Sequence, residues 1–184
     1  MSVILINGSP REKGCTYTAL LEVASSLKKR GIESEIIQAT TDKEKISEIA
    51  SKVIESEALV VGSPVYYASC SGLCAQFLDD LFQKVSGKVR LKPAAAVVSC
   101  RRGGASSTFD QINKYFTISE MVVVSSIYWN QVHGNTPDEV KEDKEGMQTM
   151  RILGDNLAYV IKSFEKASLP LYEKEERIRT NFIR

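Results

Sequence analysis

Neither sign of charge is in excess. Twenty-four Lys and Arg stand against 23 Asp and Glu, so the chain lacks the overall field that gathers nucleic acid or an anionic membrane surface. Any charge-based specificity must come from local patches. No apolar run approaches the ~18 residues that a membrane span requires, and the amino terminus has neither a basic leader nor a long apolar stretch. The four cysteines (Cys15, Cys70, Cys74 and Cys100) fall without the paired spacing of a zinc site or a disulfide framework. They read as reduced thiols, which points to the cytoplasm. Histidine occurs once, at His133, and tryptophan once, at Trp129. No catalytic triad, metal cluster or carboxylate pair is legible, and repeats, low-complexity tracts and linkers are missing.

What is present is a regular alternation. At 184 residues the chain suffices for one buried core and is short for two. Val3 to Asn7 is a continuous apolar run ending in Gly-Ser-Pro, as suits a parallel strand covered on both faces. From Cys15 to Arg30, Tyr17, Leu20, Leu21, Ala24 and Leu27 recur at helical spacing, and Gly31 follows where a helix stops. The pattern continues with a polar strand at 33–37, a helix at 42–56 capped by Asp42, and a strand at 58–62 ending again in Gly-Ser-Pro. A helix at 70–85, a strand at 94–99, a helix at 106–116 and a strand at 121–125 come next. A loop from 127 to 137 and a helix from about 143 to 164 complete it. Five strands alternating with five helices imply an α/β fold: an open, doubly wound parallel sheet with helices on both faces. We divide the chain into a domain at 1–168 and a charged tail at 169–184, read as a solvated end or an arm on a neighbouring subunit.

Ligands of such sheets sit beyond the carboxyl ends of the strands, which directs attention to four loops. The first, Asn7 to Thr16, is rich in Gly and hydroxyls at a helix start. Its free N–H groups, Ser9, Thr16, Arg11 and Lys13 suit a phosphate dianion. It is neither a Walker loop nor a Gly-x-Gly-x-x-Gly, so a monophosphate held by neutral donors is indicated, the alternative being a plain capped turn. The second, Gly62 to Gly72, places Pro64, Val65, Tyr66 and Tyr67 where backbone groups reach the edge of a flat heterocycle and an aromatic lies on its face. Alternatively, the tyrosines only plug the end of the sheet. The third, Cys100 to Thr108, repeats the recipe. Gly103 and Gly104 permit close backbone approach, and Arg101 or Arg102 offers charge to a reduced ring or a nucleotide phosphate, unless both are rim arginines in solvent. The fourth carries Trp129, read either as a cover for the site or as a subunit contact, and His133. A lone loop histidine is more often structural than a proton donor.

At these residues the sequence resembles the NAD(P)H-dependent FMN reductase branch of the flavodoxin superfamily, near the iron–sulfur flavoproteins. The resemblance rests on Gly8-Ser9-Pro10-Arg11 with Gly14 and Thr16, on Gly62 to Tyr67, on Arg101 to Gly104, and on Tyr128-Trp129-Asn130 with His133-Gly134. It spans residues 3 to 165. It implies a flavodoxin-like five-stranded sheet of order 2-1-3-4-5. It also implies FMN with its phosphate near Ser9, Arg11, Cys15, Thr16 and Thr18, and its ring along Pro64, Val65, Tyr66 and Tyr67. Ser99, Cys100, Arg101, Arg102, Gly103 and Gly104 would approach the other edge. Cys15 stands where relatives often have asparagine. The compact cysteine cluster of the iron–sulfur members is missing, and Cys70 and Cys74 read as core thiols rather than ligands.

The function expected is an oxidoreductase in which NADH or NADPH reduces FMN, which then reduces a quinone, azo compound, flavin or metal ion. The cofactor carries that chemistry, so no protein nucleophile is required. The rival expectations are a flavodoxin-type electron carrier and a non-enzymatic binding protein that has lost the flavin. A homo-oligomer, dimer or tetramer, is implied by the resemblance.

Overall fold

The computed structural model describes residues 1–176 and 178–180. Part of the charged tail (residues 177 and 181–184) lies outside the described residues. Parallel strands β1 (Ser2–Asn7), β2 (Glu33–Gln38), β3 (Ala58–Tyr66) and β5 (Pro93–Cys100) form the body of one sheet in the order β2-β1-β3-β5. The next position is shared by two short strands, β6 (Val122–Val123) and β7 (Gln131–His133), both parallel to β5. A further short strand, β4 (Ser69–Cys70), turns back antiparallel on β3. Helices α1 (Cys15–Lys29), α2 (Lys43–Glu55), α3 (Gly72–Val85), α4 (Ala105–Ile118), α5 (Pro137–Glu142) and α6 (Lys144–Ala167) complete the architecture.

The alternation along each strand assigns its two faces. Ile4, Ile6, Leu59, Val61, Ala94 and Ala96 point to one side, where α2, α3 and α4 cover them with Ile46, Val53, Phe77, Leu78, Leu81, Ile112 and Phe116. Val3, Leu5, Val60, Ala95 and Val97 point to the other, under α1 and α6 with Leu20, Val23, Leu27, Leu153 and Leu157. Each fully buried Leu, Ile or Phe contributes about 1.5–3 kcal/mol, so both layers are needed to hold the sheet. The α1 helix stops at Gly31, whose φ of +74° lets Ile32 N–H return to Leu27 O at 3.0 Å. Among the described residues, no helix is long and apolar enough to cross a membrane.

The structure departs from the sequence reading at three places. Instead of one fifth strand at 121–125 and a loop to 137, the edge position holds β6 and β7, and the chain leaves the ladder between them. Asn130 closes the gap: its side-chain amide donates to Ala96 O at 3.0 Å and its carbonyl accepts from Val98 N at 2.8 Å. Strand β3 continues past Gly62 through Pro64 to Tyr66, so α3 begins at Gly72 under an Ser71 cap rather than at Cys70. Pro64 sits close to the end of β3, where a missing N–H costs the ladder little. A sixth helix, α5, begins at Pro137 with Thr136 accepting from Glu139 N–H.

Candidate functional site

The carboxyl ends of β1, β3, β5 and β7 surround a pocket of about 170 Å³. Ser9, Arg11, Cys15 and Thr16 come from the first loop and the start of α1. Pro64, Val65 and Tyr66 come from the end of β3, Ser99, Cys100 and Arg101 from the end of β5, and Gly134 and Asn135 from the residues after β7. Two larger grooves lie along the tail, about 620 and 410 Å³. They sit among Arg90, Lys92, Leu171 and the glutamates 173, 175 and 176, beside the amino end of β5, away from the strand ends where this fold binds ligands.

The loops meet because glycines let backbones touch. Gly8 N–H donates to Gly62 O at 2.8 Å, and a Cβ on Gly8 would lie 2.6 Å from Cys74 Sγ and 2.7 Å from Gly62 O. A buried hydroxyl network then locks the strand ends. Ser71 Oγ donates to Gly8 O at 2.5 Å and accepts from Cys74 N–H, while Ser63 Oγ accepts from Ser71 N–H. At the pocket floor, Thr16 Oγ1 and Ser99 Oγ share a hydrogen bond of 2.8 Å that joins α1 to β5.

Helix α1 has Gly14 as its N-cap, with no side-chain cap. The first helical N–H to find a partner is that of Thr18, on Gly14 O. Among the described residues, no acceptor meets the backbone N–H groups of residues 12–17. That leaves a run of donors at the positive end of a helix dipole, beside Arg11 and the Ser9 and Thr16 hydroxyls. Burial pushes the Cys15 thiol up, and its Sγ lies 3.7 Å from Gly134 O. Burial raises the Cys100 thiol as well. Both thiols lining the pocket are therefore held neutral around pH 7 and set no negative charge against an anion.

The structure brings together Ser9, Arg11, Cys15, Thr16, Pro64, Val65, Tyr66, Ser99 and Arg101. It places six other candidates elsewhere. Thr18 Oγ1 donates to Gly14 O inside α1 and is buried beneath it. Tyr67 stands fully exposed at the tip of the β3–β4 turn, with Tyr67 and Ala68 both in the left-handed region (φ 53° and 57°). Arg102 and Gly103 lie in solvent. Gly104, at φ +89°, caps α4, and a Cβ there would lie 2.8 Å from Ala68 Cα, so its role is close packing under the turn. His133 lines a separate cavity of about 150 Å³ with Tyr128 and Asp143, its Nδ1 3.6 Å from Asp143 Oδ2. Sequence reasoning missed Gly134 and Asn135 as pocket residues. They reach the pocket through the pairing of β7 with β5, which a three-residue strand does not advertise.

A family model described as NADPH-dependent FMN reductase matches residues 1–136. The chain belongs to that family. An iron-sulfur flavoprotein of Methanocaldococcus jannaschii is 31% identical over 200 residues, covering 90% of this chain and all of that one. An iron-sulfur flavoprotein of Archaeoglobus fulgidus is 27% identical, covering 82% and 86%. Among solved structures, a flavodoxin, WrbA-like protein from Agrobacterium tumefaciens superposes with a TM-score of 0.69 at 15% identity, covering 88% and 97%, a likeness of fold. The family makes the protein a flavoprotein of the oxidoreductase type.

The residues present fit FMN. Unpaired N–H groups at a helix start, two hydroxyls and an arginine are the donor set a phosphate dianion takes. They do not fit an iron–sulfur cluster. Cys15 and Cys100 line the pocket, whereas Cys70 and Cys74 are buried, in β4 and α3. Among the described residues, no group of three or more His, Cys, Asp or Glu is placed to hold a metal ion, and a cluster needs four thiolates.

Proposed function

We propose that the protein is an NADH- or NADPH-dependent reductase that uses FMN to reduce a small acceptor such as a quinone, an azo compound, a flavin or a metal ion. The run of N–H groups at residues 12–17 with no acceptor of their own carries this reading. When bound, FMN supplies the two-electron chemistry linking nicotinamide and acceptor. The chain's own part is to bind and orient. Ser9, Thr16 and the 12–17 backbone hold the phosphate, with Arg11 offsetting its charge.

At about 170 Å³ the pocket is smaller than the ~300 Å³ or more of a whole ligand site. It suits the phosphate end of the cofactor, with the ring lying on the open rim. There Pro64, Val65 and Tyr66 form one wall, and Ser99 to Arg101 the other. Arg101, exposed at that edge, places positive charge where a reduced ring or a nicotinamide nucleotide phosphate is anionic. Ile127, Tyr128 and Trp129 lie exposed together in the loop between β6 and β7, and we assign them to the subunit contact of a homo-oligomer.

The test is an anaerobic titration of the FMN-loaded protein with NADPH and then NADH, read as bleaching of the visible flavin bands. Stoichiometric bleaching by at least one nucleotide is expected. Bound flavin that neither reduces would make the protein an electron carrier, and failure to take up FMN would leave a flavin-free binding protein.

A further inference from the structure

An anion site built from backbone needs its N–H groups turned inward and its carbonyls turned away, because each peptide carries both ends of the same dipole. The first loop meets this demand through two carboxamides, only one of which belongs to it. Asn7, at the end of β1 and buried, accepts from Ser9 N–H through Oδ1 at 3.3 Å. Its Nδ2 donates to Glu12 O at 3.0 Å and to Arg11 O at 3.3 Å. The second carboxamide is Gln38, the last residue of β2 and in register with Asn7. Gln38 Nε2 donates to Ser9 O at 2.6 Å, and Gln38 Oε1 accepts from Asn7 Nδ2 at 2.7 Å. Three loop carbonyls, those of residues 9, 11 and 12, are thereby tied to an amide pair on the β2 side of the loop. There Asn7, Glu12, Lys13, Tyr17 and Gln38 border a separate cavity of about 300 Å³. The free N–H groups of residues 12–17 belong to the same stretch of chain.

We propose that Gln38 is a positioning residue for the phosphate: it touches no part of the pocket, yet fixes the orientation of the loop that binds it. The inference rests on the FMN reading above and adds a residue to it. Gln38 is the outer member of the amide pair. Asn7 can still hold residues 11 and 12 without it, but among the described residues nothing else holds Ser9 O, and Ser9 lines the pocket, its hydroxyl accepting from Arg11 N–H at 3.1 Å. The Ser9–Pro10 peptide has no N–H of its own, so releasing Ser9 O leaves an acceptor free to turn toward the anion with no donor to offset it. The consequence is selective. Affinity for the phosphate falls, while affinity for the ring, gripped by the ends of β3 and β5, does not.

The experiment compares FMN with riboflavin, which differ by the phosphate alone, by equilibrium titration of flavin fluorescence against the full-length protein. Gln38→Met keeps the length of the side chain and removes both of its hydrogen bonds. The expected result is that FMN binding weakens by about tenfold, the size set by one buried carbonyl losing its donor, while riboflavin binding stays within about twofold. Gln38→Ala, with less apolar bulk, gives the same comparison should the Met variant not fold, and a thermal melt of each variant verifies that it has. Equal weakening of both ligands would show a merely structural role and overturn the proposal, as would unchanged FMN binding. If the parent protein prefers FMN and the variants keep that preference, only this inference fails. If the parent binds neither ligand, or binds both alike, the FMN reading itself has failed.

Discussion

Gly8→Ala probes the packing that brings the loops together. The added methyl would lie 2.6 Å from Cys74 Sγ, 2.8 Å from Cys74 Cβ and 2.7 Å from Gly62 O. The sulfur has little room to retreat, because Cys74 is fully buried in the α2–α3–α4 layer, and the Gly62 carbonyl is main chain of a central strand. Something must shift, and overpacking of this kind costs about 1–3 kcal/mol. For a chain of this length each kcal/mol lowers the melting midpoint by roughly 2–4 °C, so a fall of about 2–12 °C is expected. The same displacement strains Gly8 N–H on Gly62 O and Ser71 Oγ on Gly8 O, so FMN affinity falls with stability. Cys74→Ala in the same chain removes the sulfur clash and leaves those with the Gly62 carbonyl and the Cβ of residue 74, so the double variant recovers only part of the loss. Gly72→Ala is the control, since a Cβ there meets nothing within 4 Å. Thermal melts followed by circular dichroism, with flavin titrations alongside, decide the matter. A Gly8→Ala protein as stable as Gly72→Ala and equally able to bind FMN would refute the reasoning.

Thr16→Val removes one side of the Thr16–Ser99 hydroxyl pair and leaves Ser99 Oγ buried without it; a loss of about 1–2 kcal/mol is expected in urea denaturation. Asp155 is held down at about 2 by hydrogen bonds from Arg30 and Ser26 that join α1 to α6. A depressed carboxylate stabilises the fold above its ordinary value of 3.8 and loses that contribution as the pH falls from there toward 2. With the Arg30 and Asp155 side chains 56% and 37% exposed, solvent screens the ion pair and its contribution is small. Arg30→Met therefore lowers stability slightly at pH 7 and flattens the acid limb below pH 4, as measured by melts across pH. Cys15, raised by burial, alkylates more slowly at pH 7 than a free thiol does, and FMN slows it further; peptide mass mapping after iodoacetamide treatment gives the rates.

The strands that carry the pocket were legible because they are buried on both faces: Val3 to Ile6, Leu59 to Val61 and Ala94 to Val98 read as continuous apolar runs, and two of them end in the same Gly-Ser-Pro. The first loop was legible for a chemical reason, since glycine, hydroxyls and a helix start converge on it. The edge of the sheet was not, because β6 and β7 are too short for any periodicity and are separated by Val124 to Asn130, whose aromatic pair reads as loop. Gly134 and Asn135 were lost with it. Pro64 read as a turn although its position near the end of β3 lets the strand run on, and this hid the β3–β4 hairpin that lifts Tyr67 away from the pocket. Gln38 falls just past the polar strand read at 33–37 and carried no signal of its own, for its partners lie 29 and 31 positions earlier in the chain.

The most direct measurement is a crystal structure of the protein grown with excess FMN. The phosphate should lie within hydrogen-bonding distance of several N–H groups of residues 12–17 and of the Ser9 and Thr16 hydroxyls, with the ring against Tyr66. A phosphate found at any other loop, or those N–H groups satisfied by the protein itself with no flavin beside them, would contradict the account.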